Sequence, residues 1–90
     1  MRRTKRALDE VFAAVNAGDI HRAFYSIDKG RRIFVRGKFM KTGLINLITI
    51  WRGLAMKLHK LGADGVGGEC LELADLLQSR FEAGDYYVDF

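Results

Sequence analysis

The chain contains no proline, and its ten glycines cluster at a few places. Proline is the residue that most strongly breaks a helix, because it lacks a backbone donor and clashes with the preceding turn. Its absence leaves every stretch between glycines free to be helical. Gly18, Gly37, Gly43, the run Gly62–Gly68 and Gly84 then separate four segments in which apolar residues recur at three and four.

The first segment, about Thr4–Ala17, places Leu8, Val11, Phe12 and Val15 on one helical face. Gly18 suits the left-handed position that ends a helix, and the Asp19 carboxylate suits the start of the next. Ala17-Gly18-Asp19 therefore reads as a tight turn between antiparallel helices. The second segment starts at Ile20, with Ala23, Phe24 and Ile27 completing its apolar face. We read it as one helix through Gly30 to about Val35, with Phe34 extending that face. The alternative is a break at Gly30 with Ile33–Val35 extended, because glycine costs about 1 kcal/mol relative to alanine inside a helix.

The third segment, about Leu44–Leu61 with Thr42 as its cap, carries the widest apolar stripe: Leu44, Leu47, Ile48, Trp51, Leu54, Ala55, Leu58 and Leu61. It should be the central helix of the core. The fourth, about Val66–Ala83, has Cys70, Leu73, Ala74, Leu77 and Phe81 on one face, with Leu71 and Leu76 widening it. Gly65-Val66-Gly67-Gly68 reads as a flexible turn before that helix. A phosphate loop would follow a strand and carry Lys-Ser or Lys-Thr, whereas here Glu69 and Glu72 would repel phosphate. The tail 84–90 carries Tyr86, Tyr87, Val88 and Phe90, enough apolar surface to dock. The expected fold is all-α, a small antiparallel bundle of about four helices in one domain spanning 1–90. A short irregular piece is expected at 36–43.

Charge is divided along the chain. Residues 1–60 hold fourteen of the fifteen Lys and Arg with four acids, and residues 61–90 hold Arg80 with seven acids. Such asymmetry points to electrostatic recognition, of an outside partner or of the chain's own other half. The densest basic stretch, Lys29–Lys41, has six positive charges and no acid, with Phe34 and Phe39 interleaved. Bases with aromatics can grip phosphates and stack on nucleic-acid bases, or simply keep a helix end solvated. A second cluster, Arg2, Arg3, Lys5 and Arg6, starts a helix, where the macrodipole disfavours positive charge. An anion near that end would relieve it: a phosphate, a partner's carboxylates, or the chain's own Asp85 and Asp89.

No catalytic set emerges. Ser26 and Ser79 lack a nucleophile-elbow pattern, and His21 and His59 are far apart and read as surface residues. Cys70 has no second cysteine, so it is expected to be buried, inert and free of any disulfide or zinc role. No metal or cofactor is expected. Asn46, Thr49 and Arg52 interrupt the most apolar run, which is far short of the about 20 residues that span a bilayer. Lys41–Lys60 has the pattern of a cationic membrane-surface helix, but removing it would leave the other helices without a core. Asp9 and Glu10 interrupt the apolar stretch a secretory leader needs, so a cytoplasmic protein is expected.

Leu61-Gly62-Ala63, Cys70, Leu73, Arg80 and Gly84-Asp85 resemble the latter half of histidine phosphotransfer domains. The resemblance implies a helical bundle. In its register the phosphoacceptor position falls on Arg52, and His59 does not fill it, so phosphotransfer is not carried over. The functional expectation is a non-enzymatic interaction protein that binds or inhibits a protein partner through charge and exposed aromatics. Its contact residues would be Arg2, Arg3, Lys5, Arg6, Arg31, Arg32, Arg36, Lys38, Phe39 and Lys41, with Tyr86, Tyr87 and Phe90 at the other pole. Nucleic-acid binding by clusters 2–6 and 29–41 is the alternative. A membrane is not expected as a partner, and opposite charge on two poles makes a homo-oligomer conceivable.

Overall fold

A computed structural model describes residues 2–88. They form four helices: α1 (Arg2–Asn16), α2 (Ile20–Arg36), α3 (Lys41–Lys60) and α4 (Asp64–Glu82). Helix α1 packs on α2, α2 on α4, α4 on α3, and α3 on α1, so the four close a ring. The all-α bundle read from periodicity is the observed architecture. Among the described residues no helix is long and apolar enough to cross a membrane.

Turn chemistry sets the hairpins. Gly18 has φ +68°, its N–H donates to the Val15 carbonyl at 3.0 Å, and the Asp19 N–H donates to Ala14 at 3.0 Å. That pair of bonds closes the last turn of α1 around a residue only glycine adopts easily. Asp19 then starts α2, its carboxylate accepting from the Arg22 N–H at 3.1 Å. The triplet Ala83-Gly84-Asp85 repeats the stop: Gly84 donates to Phe81 at 3.1 Å and Asp85 to Arg80 at 2.9 Å. The shared triplet is thus a shared way of ending a helix.

Helix α2 runs unbroken through Gly30. The reason is packing: a Cβ there would sit 3.2 Å from the Ala7 Cβ, so glycine lets α1 and α2 approach closely. Trp51 is fully buried at the centre, with Phe34 edge-on at 5.1 Å and Phe39 stacked on Phe34 at 6.5 Å. The indole Nε1 has no hydrogen-bond partner among the described residues.

Several boundaries and faces differ from expectation. Helix α3 begins at Lys41, with Met40 at the cap position, so Thr42 lies inside the first turn. Helix α4 begins at Asp64 and takes in Gly65, Gly67 and Gly68, so that run is helical rather than a flexible turn. Gly67 has a packing role, because a Cβ on it would meet the His59 ring at 3.2 Å. Phe24, assigned to the core stripe, is 49% exposed. The irregular piece narrows to residues 37–40.

Candidate interaction surface

Helix α2 does not stop in a left-handed turn. Gly37 has φ −66° and ψ 147°, so the chain leaves the helix extended, its N–H donating to Ile33 at 2.9 Å. The carbonyls of Phe34 and Val35 are left without helical donors. Arg80 of α4 supplies them, one guanidinium nitrogen donating to Phe34 O at 3.1 Å and Val35 O at 3.4 Å. Its Nε donates to Asp85 at 3.1 Å, and its guanidinium lies 6.0 Å from the Phe39 ring centroid. One side chain, 15% exposed, therefore ties together α2, α4, the 37–40 segment and the tail.

The tail docks as its apolar content suggests. Tyr87 N–H donates to Phe39 O and its carbonyl accepts from Lys41 N–H, both at 2.9 Å, making one parallel bridge with Met40. Tyr86 stacks on Phe81 at 5.7 Å and lies half-buried. Lys38 sits 4.7 Å from the Tyr87 ring centroid, and Lys41 sits 5.8 Å from that of Tyr86. Both fall within cation–π range. The basic stretch and the tyrosines, read from the sequence as two poles, form one surface.

The amino-terminal cluster lies at the same end. Ala7 faces Gly30 across an antiparallel hairpin, which sets the first turns of α1 beside the last turns of α2. Arg3, Lys5 and Arg6 are exposed there. The side chain of Arg2, together with Asp89 and Phe90, lies outside the described residues. Asp85, proposed as a counter-anion for this cluster, pairs with Arg80 instead.

Two expected contact residues are corrected. Phe39 is 8% exposed and belongs to the core, because the 37–40 segment folds inward over Phe34. Arg31 is partly buried and paired with Glu69 of α4, and its buried Nε has no hydrogen-bond partner among the described residues. Lys29 has a long contact, 3.9 Å, to Glu10 of α1. Arg32, Arg36, Lys38 and Lys41 are exposed, and none forms an ion pair among the described residues. Around them Val35, Met40, Tyr87 and Val88 expose 41 to 61% of their surface. Sequence reasoning missed Arg80, although its isolation in an acidic half was visible and marks a base with a local task.

A second feature lies between α2 and α4: a cleft of about 330 Å³ lined by Phe24, Ile27, Asp28, Arg31, Glu69 and Glu72. Burial, with help from the Glu69 charge, pushes the Cys70 thiol up to about 12, so at neutral pH it keeps its proton and is a poor nucleophile. His59 Nδ1 lies 2.8 Å from the Asp64 carboxylate at the α3–α4 turn. Among the described residues no group of three or more His, Cys, Asp or Glu is placed to hold a metal ion. Comparison with protein families, curated proteins and solved structures finds no match.

Proposed function

We propose that this is a non-enzymatic interaction protein whose basic end binds an acidic protein surface. The observation that supports it is that Arg32, Arg36, Lys38 and Lys41, none in an ion pair among the described residues, lie beside exposed Met40, Tyr87 and Val88 where the tail docks. Interfaces gain affinity from partly apolar aromatic anchors and gain partner choice and association rate from surrounding charge. The Tyr86–Tyr87 tail is held by two backbone bonds, so its aromatic surface is presented with little entropy left to lose.

Nucleic-acid binding is the second reading, and the same bases motivate it. The burial of Phe34 and Phe39 favours a protein instead, because the aromatics that interleave with the bases are unavailable for stacking. The test is capture on immobilised chain from native lysate with and without nuclease, beside Arg36→Glu/Lys41→Glu and Tyr87→Ala chains. A protein retained by the wild type and lost from both variants supports the reading. Retention that disappears with nuclease, or survives both variants, overturns it.

A further inference from the structure

We infer that the outward ridge of α2 pairs with the same ridge of a second copy, closing a two-fold dimer. The inference goes beyond the interaction reading above: the partner here is a second copy, engaged through Asp28 and Phe24 as well as through Arg32 and Arg36.

Phe24, Asp28, Arg32 and Arg36 stand four residues apart in a single row, and all four are exposed. Such rows are the ridges by which helices pack. Turned end for end about a point between Asp28 and Arg32, the row is its own complement. Asp28 then faces Arg32 of the other copy, and Phe24 faces Arg36, each twice. The first pairing is an ion pair, the second a guanidinium over an aromatic face. A two-fold contact requires this self-complementarity, and it closes without propagating.

Three observations favour an occupant on this ridge. Phe24 falls on the apolar stripe by periodicity yet is left 49% exposed, at the rim of the α2–α4 cleft. Asp28 has no ion pair among the described residues on a protein of net charge +4, so its charge is unspent. Tyr25 and Val35, 66% and 41% exposed, lie on opposite flanks of the row and add apolar area beside it. Two such rows run parallel to one another when their helices cross at about −50°.

The test is a charge exchange read by sedimentation equilibrium across a concentration series. The wild type is expected to be dimeric at high concentration in low salt. It should shift toward monomer near 1 M salt, where the screening length falls to about 3 Å. Asp28→Arg and Arg32→Asp should each be monomeric, with dissociation constants raised at least tenfold. An equimolar mixture of the two should restore a dimer, and so should the double exchange Asp28→Arg/Arg32→Asp in one chain. Circular dichroism verifies that each variant remains helical. A wild type that stays monomeric at every concentration overturns the inference, as does a dimer indifferent to the single changes or a mixture that stays monomeric. Asp28→Arg leaves Arg36, Lys38, Lys41 and Tyr87 in place. Retention of an acidic protein by that variant therefore reports on the interaction reading separately from the dimer.

Discussion

Arg80 donates to the carbonyl of Phe34 at 3.1 Å, so a residue of the acidic half completes the end of the basic helix α2. The contact also places Arg80 against Asp85 and Phe39, and the side chain is 15% exposed. Arg80→Met keeps the stem and removes the donors. It should destabilise the fold by about 2–3 kcal/mol, since hydrogen bonds from charged groups contribute about 1.5–3 kcal/mol. Arg80→Lys should recover only part, because an ammonium cannot span the two carbonyls and Asp85 as a planar fork does. Urea midpoints of the three chains measure this.

Two glycines inside helices should respond unequally to alanine. Gly53 of α3 is exposed, and a Cβ there meets nothing within 4 Å, so Gly53→Ala should stabilise by about 0.5–1 kcal/mol. At Gly30 the same propensity gain meets the Ala7 Cβ at 3.2 Å. Gly30→Ala should gain less, and Gly30→Leu should lose about 1–3 kcal/mol by overpacking. Thermal melts rank the three, and equal gains at both sites would contradict the close α1–α2 approach.

Cys70 predicts an alkaline limb of stability. Its thiol is raised from 9.0 to about 12 in the folded chain, so the native state holds the proton more tightly than the unfolded state. Its contribution is complete below about pH 9 and is lost as pH rises toward 12. The urea midpoint should fall across that range more steeply than in Cys70→Ala. In the native protein at pH 8 a disulfide reagent should react slowly, and denaturant should expose the thiol at once.

Stability and binding should separate cleanly between Phe39 and Arg36. Phe39→Ala opens the core beside Phe34 and Trp51 and should cost about 3–5 kcal/mol. Arg36→Glu touches an exposed side chain and should cost no more than about 1 kcal/mol, from its place in the last turn of α2. If the basic end is the binding surface, Arg36→Glu lowers partner affinity while leaving the melting curve nearly unchanged. Titration calorimetry and melting of the same samples measure both.

The hairpins were legible because their chemistry is local. Gly18 followed by Asp19 specifies a stop and a start within three residues, and both bonds are present. The core stripe of α3 was legible because its periodicity is long: every residue in it from Leu44 to Leu58 is buried, and only Leu61, past the helix end, is left half exposed. Phe24 was misread because periodicity reports a face, whereas burial depends on what another helix brings to it. At that point α4 brings Glu69 and Glu72. The Gly65–Gly68 run was misread because glycine's poor helix propensity was outweighed by packing against α3. At the candidate surface the bases were identifiable, but their division into paired and unpaired depends on non-local partners such as Glu69.

The Arg80 contact also imposes an order in time. The Phe34 and Val35 carbonyls are synthesised some forty-five residues before the guanidinium that satisfies them. At about 5–20 residues per second that is a delay of roughly two to nine seconds on a ribosome. During it any α1–α2 hairpin that forms can have its Gly18 turn but not the cap that Arg80 places on its far end. The surface assembled from the 37–41 segment and the tail therefore matures last, and a partner that reads it recognises chains whose fourth helix has already been made.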